Sequence, residues 1–172
     1  MARNIEIKAR VSDLAALRRK ASLLAPREGE WIEQTDTFFI VPEGRLKVRE
    51  FSNGTGELIA YRRPNQNGPK ESDYTRVASD DPAVLRHALG SVLPVQGEVV
   101  KRREVFIVGR TRVHLDQVEN LGQFVELEVV LQDDESATIG EQEALELMEA
   151  LGISPGMLVA DAYIDLLRRA PL

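Results

Sequence analysis

Charged and apolar side chains alternate at every second position in separate stretches of this chain. Asn4, Glu6 and Lys8 alternate with Ile5 and Ile7, and Arg45, Lys47 and Arg49 alternate with Leu46 and Val48. Lys101 and Arg103 open another such stretch, and Glu126 and Glu128 alternate with Val125, Leu127 and Val129. Side chains on a strand point to opposite faces with a period of two. Each stretch therefore reads as a strand with one apolar and one ionic face. Strands of this kind, with their ionic faces turned toward one another, enclose a space lined by acids and bases that suits a metal-bound polyanion. For any one strand, a solvated sheet face is the better account. Recurrence on several strands favours the lined interior.

The rest of the chain supplies a frame for those strands. Residues 3–10 read as a strand, and Ser12 as the N-cap of a helix from Asp13 to Leu24. Strands are expected over residues 34–41, 45–51, 57–63 and 71–77, with a turn at Ser52-Asn53-Gly54-Thr55-Gly56 and a mobile loop from Pro64 to Lys70. Asp80 or Asp81 caps a helix with Pro82 in its first turn and Gly90 at its end. Residues 99–108, 111–118 and 124–131 complete the strands. Thr138 and Glu141 make a capping box for a helix stopped by Gly152, and a last helix runs from Ser154 to about Arg169. The expected class is α+β, with about eight strands and about four helices. The connections are too short for parallel crossovers, so the sheet is antiparallel, and closing it into a barrel removes its edges. Helices must then cover an apolar outer face around a polar inner one, the reverse of an ordinary small barrel.

Composition narrows the chemistry. The chain has 172 residues, 43% hydrophobic and 29% charged, which fits one globular domain spanning residues 1–172. It holds no cysteine, so disulfides, thiolate metal sites and cysteine nucleophiles are excluded. No apolar run spans a bilayer and no signal peptide is evident, so the expected location is cytoplasmic, with no membrane partner. A net charge of −6 argues against nucleic acid as a partner, and Trp31 alone forms no stacking surface. Bases exceed acids from Arg45 to Arg63, whereas every charged residue from Asp133 to Glu149 is acidic. An acidic protein with basic strand faces points to a confined anion site.

Arg45, Lys47, Arg49, Arg63, Lys101 and Arg103 are the candidate anion-binding residues. Arginine forks match phosphate oxygens, and lysine adds a point charge. Arg63 is preferred to Arg62 because it shares parity with Tyr61. Glu6, Glu126 and Glu128, with Asp116 in the same alternating register as His114, are candidate oxygen ligands for Mg²⁺ or Mn²⁺. Ion pairing inside the barrel is the competing account of the same residues. His114 shares a face with Asp116 but reads better as structural, His87 as helical, and Tyr163 as helix packing. Phosphate-binding loops, dinucleotide fingerprints and serine nucleophile elbows are absent.

Taken in order, these segments resemble the CYTH family, or triphosphate tunnel metalloenzymes. Asn4-Ile5-Glu6-Ile7-Lys8 is similar to that family's Glu-x-Glu-x-Lys signature. The likeness continues through Gln34 to Phe39, Arg45 to Glu50, Gly68 to Tyr74 and Lys101-Arg102-Arg103. It extends to His114-Leu115-Asp116-Gln117-Val118, Leu121 to Glu128 and Tyr163 to Leu167, and its details look nearest to the class IV adenylyl cyclase branch. The resemblance implies an eight-stranded antiparallel β-tunnel and divalent-metal chemistry on a small-molecule triphosphate. Members include adenylyl cyclases, thiamine triphosphatases and inorganic triphosphatases. By position, Glu6, Glu126 and Glu128 would hold the metal, and Lys8, Lys47, Arg49, Arg63, Lys101 and Arg103 the triphosphate. Lys8, Arg103 and Asp116 are the catalytic candidates. Asn4 stands where the family has its first glutamate and offers an oxygen without charge. A cyclase making cyclic AMP and pyrophosphate, a triphosphate hydrolase and a non-catalytic triphosphate binder all remain open, as does a homodimer.

Overall fold

The computed structural model describes residues 2–169. Its elements are β1 (Ala2–Arg10), α1 (Leu14–Leu24), β2 (Glu30–Phe39), β3 (Arg45–Phe51), β4 (Gly56–Arg62) and β5 (Lys70–Ser79). There follow α2 (Pro82–Gly90), β6 (Val95–Val108), β7 (Thr111–Val118), β8 (Gly122–Leu131), α3 (Ala137–Leu151), a 3-10 turn (Pro155–Met157) and α4 (Tyr163–Arg169). The eight strands close into a barrel in the order β1-β5-β4-β3-β2-β6-β7-β8, and every pairing is antiparallel. Two meanders, β2 to β5 and β6 to β8, are thus joined by the β2–β6 contact on one side and by β1 on the other. No helix among the described residues is long and apolar enough to cross a membrane.

Alternation decides which side of each strand faces the helices. Ile5 and Ile7 on β1, Val113 and Leu115 on β7, and Val125, Leu127 and Val129 on β8 form the main apolar core outside the barrel. Leu17 and Ala21 of α1 and Ala144, Met148 and Leu151 of α3 cover them. Complete burial of one such isoleucine contributes about 1.5–3 kcal/mol. The close approach of α3 needs Gly140, where a Cβ would lie 2.6 Å from Leu131 Cδ2 and 2.8 Å from Ile5 Cγ1. Gly152 ends the helix with φ of 74°, a left-handed conformation that suits glycine.

A second apolar cluster joins Phe38, Val99, Val118 and Phe124 to Ala162, Tyr163 and Ile164. Strand faces that continue the ionic lining are therefore apolar where the C-terminal segment meets them, so the inner face is not polar throughout. Phe124 and Tyr163 meet edge to face, with centroids 4.9 Å apart.

Several local expectations are corrected. Asp13, not Ser12, caps α1, its Oδ1 accepting from Ala16 N at 2.9 Å. Ser136 caps α3, accepting from Thr138 N at 3.3 Å, in place of a Thr138–Glu141 box. Strands β2 and β6 start at Glu30 and Val95, four residues earlier than the alternation indicated, because they pair with each other over nearly their full length. The expected last helix is two pieces. Leu158 bridges Ala9, and Val159 N donates to Lys8 O at 2.9 Å, so these residues extend along β1 and cannot coil.

Candidate functional site

One cavity inside the barrel collects the ionic faces. Lys8, Lys47, Arg49, Arg63, Lys101 and Arg103 line it from four segments of the chain, together with Asn4, Glu6, Glu126 and Glu128 and with the exposed Arg76 of β5. Tyr61, Ser72, Tyr74 and Tyr163 add polar and aromatic surface. Arg62, by contrast, is exposed and pairs with Glu43 at 2.6 Å. Arg45 does not line the cavity. Its Nη2 donates to Asp165 Oδ2 at 2.6 Å, so it tethers α4 to β3.

Two buried aspartates fix the arginine forks. Arg103 donates through Nε and Nη2 to Asp116 at 2.6 and 2.7 Å, and the Tyr163 hydroxyl donates to Asp116 Oδ2 at 2.8 Å. Arg49 donates in the same way to Asp36 at 2.8 and 2.9 Å, and Lys47 Nζ donates to Asp36 Oδ2 at 2.8 Å. Both pairs are cross-strand neighbours, Asp36 opposite Arg49 and Asp116 opposite Arg103. Asp116, 0% exposed, sits behind Arg103 with both oxygens engaged and holds that fork in place. Asp36 and Tyr163 belong to the site without having been singled out for it. The parity of Asp36 with Gln34 was legible, but its two partners depend on the β2–β3 register. Tyr163 enters because the chain breaks its helix before it, which no local pattern signals.

Positive charge dominates the lining. Six buried or partly buried cations face three glutamates, with Asp36 and Asp116 behind. Burial lowers the Lys8 and Lys47 ammonium groups to about 7 and also lowers Lys101. Neighbouring arginines and lysines push all three the same way, against the glutamates and aspartates. Lys8 Nζ lies 3.9 Å from the Tyr163 ring centroid, a cation–π contact, and donates to Asp161 O at 3.2 Å. Burial thus leaves these lysines weakly protonated, and an entering polyanion would favour their charged form.

The acids lie at one flank. Glu6 is opposite Glu128, and Glu126 is opposite both Lys8 and His114. Glu6 accepts from Arg63 Nη1 at 3.1 Å, and Glu126 from Arg103 Nη2 at 3.3 Å. Burial raises the Glu6 carboxyl, with Glu128 and Glu126 adding to it against Arg63. Burial also opposes ionisation of Glu126, but Lys8, Arg103 and Lys101 hold it well below the usual range. Burial lowers His114 to about 3, so its imidazole is neutral. Glu128 Oε2 is buried without a hydrogen-bond partner, although Arg112 Nε lies 3.3 Å away. The Asn4 amide oxygen is likewise buried and unpartnered. Orphaned oxygen acceptors beside ionised carboxylates fit a hard divalent cation.

A larger open groove of about 870 Å³ lies near the ends of β3 and β7 and the start of β8. Acids and bases are mixed along it, with Arg86 paired to Glu50 at 2.8 Å and Arg102 to Glu33 at 3.9 Å, so it concentrates no cluster of bases.

The chain is 27% identical to the adenylate cyclase CyaB of Aeromonas hydrophila, over 92% of this chain and 85% of that protein. Its fold matches the PH1012 protein of Pyrococcus horikoshii with a TM-score of 0.86 and 24% identity, covering 95% of this chain and 99% of that one. It also matches HpAC1 of Hippeastrum with a TM-score of 0.67 and 14% identity, covering 100% of this chain and 97% of that one. That structure is described as an adenylyl cyclase candidate with a dominant triphosphatase activity. The CYTH domain model matches residues 2–163. With that match along almost its whole length, on a closed eight-stranded barrel with an ionic interior, the chain belongs to the CYTH domain family.

Proposed function

We propose that the chain is a divalent-metal-dependent enzyme that acts on a triphosphate held in the barrel, converting ATP to cyclic AMP and pyrophosphate. The observation that carries this reading is the convergence of six buried or partly buried cations on one cavity beside unpartnered carboxylate and amide oxygens. The likeness to CyaB supports the choice of a cyclase.

In this reading Lys47, Arg49, Arg63 and Lys101 bind the phosphate oxygens, with Arg49 aimed by Asp36. Lys8 and Arg103 contact the phosphoryl group that is transferred, and Asp116 with Tyr163 keeps the Arg103 fork in place. Glu6, Glu126 and Glu128, with the neutral oxygen of Asn4, would hold Mg²⁺ or Mn²⁺. When bound, the ion supplies Lewis-acid neutralisation of charge on the phosphate oxygens. The ribose 3′-hydroxyl gives up its proton to solvent, its oxygen forms a bond to the α-phosphorus, the bond from that phosphorus to the bridging oxygen breaks, and pyrophosphate leaves with the electron pair. Fixed cations in a desolvated barrel stabilise that leaving charge without reorganising. Burial also limits water as a competing nucleophile.

Triphosphate hydrolysis is the second reading, favoured by the activity described for HpAC1 on the same fold. In it water attacks the terminal phosphorus within the same cationic frame. Chromatography of products from ATP, thiamine triphosphate and inorganic triphosphate with Mg²⁺ or Mn²⁺ separates the two. Cyclic AMP with pyrophosphate supports the cyclase, orthophosphate the hydrolase, and no turnover of any of the three overturns both.

A further inference from the structure

We infer that His114 is a nitrogen ligand of the divalent cation, completing a site with Glu126 and Glu128 that favours Mn²⁺ and Co²⁺ over Mg²⁺. The inference rests on the metal-dependent reading above and deepens it.

His114, Glu126 and Glu128 each offer a donor atom, and these atoms all lie within 4.8 Å of one another. The register explains why. His114 on β7 is the cross-strand neighbour of Glu126 on β8, and Glu128 is two residues further along the same face. The His114 Nε2 atom is 3.9 Å from Glu128 Oε2. Two donors about 2.1 Å from one ion can stand up to about 4.2 Å apart, so this pair can share an ion as it is. Two carboxylates and one imidazole therefore cluster in one place, with one pair already at a distance that a single ion spans.

The second observation is the state of the facing carboxylate. His114 is 4% exposed and turns Nε2 toward Glu128. Glu128 is 8% exposed, and its Oε2 has no hydrogen-bond partner although Arg112 Nε stands 3.3 Å away. Buried polar groups are almost always hydrogen-bonded. A cation shared with His114 Nε2 would supply the partner that this oxygen lacks.

The nitrogen sets the preference. Mg²⁺ strongly favours oxygen donors, whereas imidazole suits the later first-row ions. Asn4 withdraws one negative charge from the same flank, which weakens the all-oxygen alternative further.

The test is pulsed electron paramagnetic resonance of Mn²⁺ bound to the full chain with inorganic tripolyphosphate, a ligand without nitrogen. Nitrogen modulation from one imidazole is expected. It should be lost in His114→Gln, which still binds Mn²⁺ but about tenfold more weakly. It should persist in His87→Gln, since His87 lies on α2 outside the barrel. Labelling the unmutated protein with ¹⁵N-histidine must change the modulation frequency, which keeps the test decisive even if the variant does not fold. Bound Mn²⁺ without nitrogen modulation overturns the role of His114 and leaves the triphosphate reading standing. So does modulation that survives His114→Gln. Failure of Mn²⁺ to bind at all with tripolyphosphate overturns both.

Discussion

Replacing Asp36 with asparagine removes one charge and almost no volume, from a carboxylate that is 1% exposed. Asp36 receives three short hydrogen bonds, two from the Arg49 fork and one from Lys47. Burial alone would raise its pKa, but Arg49 and Lys47 outweigh that and hold it well below the usual range. It is therefore ionised at neutral pH, and its contribution is lost only as pH falls through that depressed value. In Asp36→Asn two buried cations lose their counter-charge, and an amide N–H₂ is turned toward one of them. Breaking a buried pair on one side costs about 3–5 kcal/mol. At about 2–4 °C per kcal/mol for a chain of this size, the melting temperature should fall by about 6–20 °C. The same vacated charge makes a polyanion more valuable. Melting with and without inorganic tripolyphosphate should therefore show a larger ligand-induced rise in the variant than in the unmutated protein. A melting temperature within about 2 °C of the parent, or an equal tripolyphosphate shift in both, would refute the reasoning.

Further expectations follow from individual groups. Lys47 is lowered to about 7 by burial, so the unfolded chain binds the extra proton between about pH 7 and pH 10, and ligand-free stability should rise across that window. Binding a polyanion restores the proton, so calorimetry at pH 8 in buffers of different ionisation enthalpy should detect proton uptake, and affinity should decline as pH rises above about 7. Arg45→Ala should speed amide exchange over Tyr163–Arg169 by releasing α4 while leaving tripolyphosphate affinity unchanged; a large affinity loss would return Arg45 to the binding set. Asn4→Glu should tighten Mg²⁺ binding measured by calorimetry, and an unchanged value would count against placing the cation at that flank.

How much of this was legible in the chain follows from the range of each interaction. Alternation is local, so Glu6, Lys8, Lys47, Arg49, Lys101, Arg103, Glu126 and Glu128 declare their shared inward face by period alone. Closure into a barrel follows from short antiparallel connections between amphipathic strands. Arg45 keeps the parity of Lys47 and Arg49, yet it lies at the strand end where Asp165 of α4 arrives, and parity carries no information about that partner. The last helix failed for a similar reason. Leu158 and Val159 are drawn into pairing with β1, which outweighs their helical propensity and delivers Tyr163 to Asp116. His114 was visible on the inner face, but its approach to Glu126 and Glu128 depends on the β7–β8 register.

A triphosphate held by the buried cations should be detectable directly by its binding. Isothermal calorimetry of inorganic tripolyphosphate, run on the unmutated protein, Arg49→Ala and Arg62→Ala, tests it without reference to turnover. One molecule should bind per chain, with a loss of about 10- to 100-fold in affinity for Arg49→Ala, the equivalent of one or two charge-assisted hydrogen bonds, and no change for the exposed Arg62→Ala. No binding to the unmutated protein, or equal binding to all three, would contradict it.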